Sequence, residues 1–188
     1  MDLNNYIRTI PDFPKPGIQF KDITPLLKDP DAFHEAIEGI VQYCSSVTVD
    51  AIVGIDARGF LIAAPLAYHL SKPLIPVRKE GKLPFQTNKV TYELEYGNDT
   101  IEIHQDAVGK GQNVLVVDDL LATGGTMAAT ARLIEESGAK VSAMVVLVEL
   151  TDLHGRDILK DYCLHSLMQA ICLTMCSETF LLISTGMY

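Results

Sequence analysis

One stretch constrains the fold more than any other. Residues 113–119, Asn-Val-Leu-Val-Val-Asp-Asp, are an apolar run closed by two adjacent carboxylates, Asp118 and Asp119. Leu-Leu-Ala-Thr-Gly-Gly-Thr follows as a turn, and MAATARLIEESG then reads as a helix stopped by Gly138. A strand, a tight small-residue turn and a helix in that order place the helix N-terminus beside the strand end. Free backbone N–H groups and the helix dipole make such a terminus an anion site. Gly124 and Gly125 let a phosphate approach the backbone, and Thr123 and Thr126 add hydroxyl donors. Asp118 and Asp119 would repel a phosphate, but they can accept from the two hydroxyls of a ribose or hold water around a Mg²⁺ carried by a pyrophosphate. The ligand this predicts is a 5′-phosphorylated ribose lying across a strand end, where open α/β sheets bind their ligands. A P-loop would need a lysine after its glycines, and a dinucleotide fingerprint would need G-x-G-x-x-G; neither is present. The alternative without a ligand is an ordinary acidic strand-to-helix turn.

The rest of the chain repeats this alternation. Residues 51–55, 73–79, 100–104 and 140–150 read as strands, and 31–43 and 60–71 as helices, with Asp31 as a candidate N-cap and Pro65 as an interruption. Alternating strands and helices predict an α/β fold with a central, mainly parallel sheet flanked by helices. Residues 1–30 are proline-rich and read as a wrapping arm anchored by Ile10, Phe13, Ile18, Phe20, Ile23 and Leu26. Residues 80–100 lack a core pattern and read as a long loop, the kind that is usually functional. At 188 residues with 48% hydrophobic and 21% charged residues, the expectation is a single domain spanning 1–188.

The net charge of −9 argues against a duplex nucleic-acid partner, without excluding a local basic site for a small anion. No stretch reaches the length of a membrane span, and the first residues lack a secretory pattern, so a cytoplasmic protein with reduced thiols is expected. Cys163, His165, Cys172 and Cys176 match no strong zinc spacing, and ordinary packing is their expected role.

The segment VVDDLLATGGT closely resembles the signature by which type I phosphoribosyltransferases hold 5-phosphoribosyl-1-pyrophosphate (PRPP). The resemblance implies that family's fold, with a central sheet and a small hood over the base. It gives Asp118 and Asp119 to the ribose hydroxyls and Ala122, Thr123, Gly124, Gly125 and Thr126 to the 5′-phosphate. It narrows to the adenine-specific members over roughly residues 10–169 of this chain, where FPKPGIQFKDITPLLKDP, GIDARGF, RKEGKLP, YELEYG and VVDDLLATGGTM follow in order. Ala122 stands where 6-oxopurine transferases resemble one another in carrying an aspartate, which favours adenine.

What the resemblance implies is the conversion of adenine and PRPP to AMP and pyrophosphate through an oxocarbenium-like state, with Mg²⁺ carried by PRPP. Glu95 matches the family's general acid and base, with Glu93 a weaker contender on the other strand face. Ile18, Phe20 and Lys21 match the adenine subsite; Gln19 and Lys21 depart from the typical apolar and arginine residues there. Asp56–Arg58 matches the pyrophosphate loop, with a cis bond expected at Asp56–Ala57 and contacts from Ala57 and Arg58. Arg78, Lys79 and Lys82 are three cations within five residues, and with Tyr96 they are expected on pyrophosphate. The stretch 80–100 becomes a lid, and related enzymes lend this region to a neighbouring subunit, so a homodimer is implied.

After Gln169 the family pattern stops, leaving 170–188 as a divergent tail rich in apolar residues. Three rival readings follow: a 6-oxopurine transferase, a PRPP-sensing protein without catalysis, and a variant inactivated by its tail.

Overall fold

The computed structural model describes residues 1–94 and 97–172. After a 3₁₀ turn (Leu3–Tyr6) the arm folds as a hairpin, β1 (Arg8–Pro11) and β2 (Gln19–Asp22), followed by the short helix α1 (Thr24–Lys28). Then come α2 (Pro30–Cys44), β3 (Ala51–Ile55), α3 (Gly59–Leu70), β4 (Leu74–Lys79), β5 (Thr87–Leu94) and β6 (Gly97–His104). The chain continues with β7 (Asn113–Leu121), α4 (Gly125–Glu136), β8 (Lys140–Leu150), α5 (Gly155–Ile158) and β9 (Leu164–Ala170).

Seven strands form one sheet in the order β5-β6-β4-β3-β7-β8-β9. β4, β3, β7, β8 and β9 run parallel, while β6 joins β4 antiparallel and β5 joins β6 antiparallel. The expected α/β architecture is therefore present. Period-two alternation sorts the central strands onto two cores. Leu115 and Val117 of β7 join Val145 and Leu147 of β8 under α2 and α3, with Ile40, Ile62 and Leu66. Val114 and Val116 join Met144 and Val146 under α4, with Met127, Leu133 and Ile134. Because both faces are covered, these strands read as continuous apolar runs. Burying one such Leu or Ile stabilises the fold by about 1.5–3 kcal/mol.

Three expectations need correction. Asp29, not Asp31, caps α2: its Oδ1 accepts from the N–H groups of Asp31 and Ala32 at 3.1 and 3.0 Å, with Pro30 at the first helical position. Residues 80–100 are not a long loop. Thr87–Leu94 is a strand, paired along its length with β6, which itself begins before Thr100. LLATGGT is only partly a turn, since Leu120 and Leu121 continue β7.

Elsewhere the local signals act as read. Gly138, at φ +86°, ends α4: its N–H donates to Glu135 O, and the next N–H, of Ala139, donates to Ile134 O. Pro65 stays inside α3, where it withholds an N–H on the exposed side of the helix near Leu61. In the arm, Ile18, Ile23 and Leu26 are buried, but Phe13 is 41% exposed and meets the Phe20 ring edge-on at 5.3 Å. No helix among the described residues is long and apolar enough to cross a membrane.

Candidate active site

The carboxyl ends of β3 and β7 are neighbours in the sheet, and each runs into a helix start. β3 leads through Asp56, Ala57 and Arg58 into α3, and the Asp56–Ala57 peptide bond is cis, as the resemblance implied. β7 leads through Ala122, Thr123 and Gly124 into α4, where Gly124 adopts φ +85° and, among the described residues, no side-chain cap bonds the helix start. The α4 terminus therefore leaves its first backbone N–H groups for another acceptor. Gly59 lets the two turns meet. A Cβ there would lie 2.9 Å from Asp118 Oδ1 and 3.0 Å from Val117 O.

The acid pair lies between these turns. Asp118 Oδ1 accepts from the Asp119 N–H at 2.9 Å. Desolvation, and then the charge of Asp119, hold the Asp118 carboxyl well above the usual aspartate range. Desolvation also raises Asp119, against the opposing pull of Arg58. Arg58 Nε stands 3.1 Å from Asp119 Oδ2, yet that buried oxygen has no aligned hydrogen bond among the described residues. Two carboxylates at one strand end, one with an unused acceptor, suit a vicinal diol. The same Arg58 guanidinium lies 5.1 Å from the centre of the Phe20 ring. One side chain thus touches both the acid pair and the arm.

The three cations do not act as one cluster. Neighbouring strand residues point to opposite faces. Arg78 Nε donates to Asp56 Oδ2 at 2.9 Å and its Nη1 to Lys82 O at 3.2 Å. Lys79 Nζ instead pairs with Asp99 Oδ2 at 3.3 Å. Lys82 is exposed, and its N–H donates to the buried carboxylate of Glu102. Arg78 therefore braces the 56–58 loop, whereas Lys79 reaches the β5–β6 hairpin. In the arm, Ile18 is buried, Phe20 stands by Arg58, and Lys21 Nζ turns across the hairpin to Thr9 Oγ1 at 3.0 Å. Glu95 and Tyr96 lie outside the described residues, as do Cys176 and the tail beyond Cys172.

The sequence reading gave no site role to Gly155, Arg156 or Tyr92. Gly155 packs its backbone on the turn of residues 122–124: a Cβ on Gly155 would strike Ala122 O, and one on Gly124 would meet Gly155 O at 2.6 Å. The next residue, Arg156, holds Glu149 through two hydrogen bonds of 2.6 and 2.7 Å and also reaches Leu164 O and Ser166 Oγ. Tyr92 on β5 sets its hydroxyl 3.2 Å from Thr126 Oγ1. The signal for Gly155 was its place in HGR beside a predicted strand end; Tyr92 opens the YELEYG motif, but nothing there pointed to a contact with Thr126.

A sheet with an acid pair at a strand end, a glycine-rich turn opening a helix and an arginine loop beside them is the arrangement of a phosphoribosyltransferase, and the family model described as the phosphoribosyl transferase domain matches residues 24–168. The chain is 56% identical over 169 residues to an adenine phosphoribosyltransferase of Desulfitobacterium hafniense strain Y51, covering 90% of this chain and 98% of that one. The crystal structure of adenine phosphoribosyltransferase from Thermoanaerobacter pseudethanolicus superposes with a TM-score of 0.88 at 52% identity, covering 90% and 98% of the two chains. That of the Saccharomyces cerevisiae protein, complexed with an imino-altritol bisphosphate and adenine, gives 0.84 at 38% identity, covering 88% and 96%. The chain belongs to the adenine phosphoribosyltransferase family.

Proposed function

We propose that this chain converts adenine and PRPP to AMP and pyrophosphate, the reaction of purine salvage. The observation that carries the reading is the meeting, through Gly59, of the Asp118–Asp119 pair and the uncapped α4 turn with the Asp56–Arg58 loop. Backbone N–H groups of residues 123–126, with Thr123 and Thr126, take the 5′-phosphate, and Asp118 and Asp119 accept from the ribose hydroxyls. The bond from the anomeric carbon to the pyrophosphate oxygen breaks with its electron pair on pyrophosphate. Adenine N9 forms the new bond, and its proton passes to Glu95.

Arg58, Ala57 N–H, Arg78, Lys79, Lys82 and Tyr96 stabilise the leaving charge. Arg58 must then exchange Asp119 for pyrophosphate, and the ribose hydroxyls become that carboxylate's new donors. Mg²⁺ bound to PRPP supplies further charge to the leaving group, and the acid pair is suited to hold its water shell. Ile18, Phe20 and Lys21 form the adenine side in the arm, with the Arg58–Phe20 contact linking base and pyrophosphate ends. The β5–β6 hairpin serves as the lid that excludes water.

The whole chain works as one catalytic domain, with residues 1–30 as its hood. We assign it to the cytoplasm, in keeping with the free thiols of Cys44, Cys163 and Cys172. A homodimer would cover exposed apolar side chains on α3 and β4, where Leu61, Tyr68 and Leu74 are 47%, 89% and 41% exposed.

The test is AMP formation from adenine, PRPP and Mg²⁺ by the full chain, with Glu95→Gln and Arg58→Ala beside it. The expected result is AMP from the unaltered chain, with kcat lowered roughly 10²–10⁴-fold by Glu95→Gln. Equal rates would remove Glu95 from the mechanism. A folded chain that binds PRPP and makes no AMP would leave the sensor or tail-inactivated reading.

A further inference from the structure

We propose that Tyr92 is a positioning residue that aims the single proton of the Thr126 hydroxyl at the 5′-phosphate. The proposal rests on the reading of residues 122–126 as the phosphate cradle. Tyr92 stands on β5 directly opposite Asp99 of β6, so the two side chains share one face of the hairpin. Its hydroxyl lies 3.2 Å from Thr126 Oγ1 and, in a longer contact, 3.4 Å from Asp99 Oδ2. Its ring lies against the start of α4: a Cβ on Gly125 would be 3.8 Å from Tyr92 Cδ2.

The consequence comes from counting protons. A phenol and a threonine hydroxyl each have one proton to give. A carboxylate only accepts, so in the ligand-free protein Tyr92 donates to Asp99 and accepts from Thr126. A phosphate oxygen at the α4 N-terminus also only accepts. Thr126 must then give its proton to the phosphate, and its oxygen becomes an acceptor for Tyr92. Tyr92 turns its proton from Asp99 to Thr126, and the bond moves from within the hairpin to between hairpin and helix. Burial keeps the phenol protonated and able to donate. Asp99 Oδ1 retains the Thr100 N–H, and Oδ2 retains Lys79. The donors and acceptors stay matched in both states, so phosphate occupancy fastens the hairpin to α4.

The test is a double-mutant cycle on the full chain, using Tyr92→Phe, which keeps the ring on Gly125, and Thr126→Val. Affinities for ribose 5-phosphate and for pyrophosphate with Mg²⁺ are measured by calorimetry, and folding is checked by Tm. Tyr92→Phe should weaken ribose 5-phosphate by about 3–10-fold, the worth of one hydrogen bond, and leave pyrophosphate unchanged. In the Thr126→Val background it should cost nothing further, because the acceptor it serves is gone. Equal losses from Tyr92→Phe in both backgrounds, or an equal loss for pyrophosphate, would overturn the positioning role while leaving the cradle in place. No loss from Thr126→Val alone would overturn the cradle and the proposal together.

Discussion

The acid pair costs the ligand-free protein stability. Asp118 and Asp119 both hold their protons more tightly in the native chain than an ordinary aspartate at 3.8 does. Above that value the unfolded chain has released these protons and the native chain has not, so the native state binds more and stability falls as pH rises through the raised values. Asp118→Asn removes one ionisable member of the pair. Thermal unfolding should show the variant a few degrees more stable than the parent near neutral pH, on the order of 1 kcal/mol, with the gap closing toward about pH 4. Calorimetry should show PRPP binding weakened in the same variant. A parent that is the more stable at neutral pH would show that the pair is not under this strain. At this scale legibility follows sequence separation. Asp118, Asp119, Gly124 and Thr126 lie within one short turn, so their chemistry shows in the sequence. Tyr92 meets Thr126 across 34 positions and Asp56 meets Arg78 across 22, and no local pattern announces either pair.

Among the elements, the central strands were legible because burial on both faces makes them continuous apolar runs. The β5–β6 hairpin was not. On β5 the alternation is confined to the second half, Val90, Tyr92 and Leu94 against Thr91 and Glu93, while Thr87, Asn88 and Lys89 before it are all polar, so the pattern is too short to stand out against its neighbours. A lysine-bearing strand at a sheet edge is also how edges resist unwanted pairing, and Lys89 serves there while bonding Glu80 at 2.6 Å. The α5 start was marked only by the HGR beside a strand end, and its role was not legible, since Gly155 matters for the backbone it lies against. Gly155→Ala forces a methyl into Ala122 O, so the phosphate turn must shift. Steady-state kinetics should give a KM for PRPP raised roughly tenfold with the KM for adenine little changed, and unfolding should show about 1–3 kcal/mol lost. Unchanged PRPP kinetics in a folded variant would show that α5 does not set the turn.

Across the whole molecule, Leu61 and Tyr68, one face of α3, and Leu74 at the start of β4 are exposed apolar side chains that the proposed homodimer would cover. Leu61→Asp with Tyr68→Asp should give a monomer in sedimentation velocity where the parent sediments as a dimer; a dimer persisting in the variant would place the interface elsewhere. The pairing of β3 with β7 has a consequence of another kind. Ala51 partners Val114, 63 positions along the chain, as does the Asp50–Asn113 contact beside it. Closing a loop of that length costs on the order of 4 kcal/mol of chain entropy before the sheet returns anything. The 56–58 loop is made early on the ribosome and the 122–126 turn late, so the proposed site is incomplete until synthesis has passed the start of α4. A chain emerging N-terminus first holds half a site for as long as it takes to make the other half, so any stabilisation that PRPP gives to folding is confined to chains already most of the way finished.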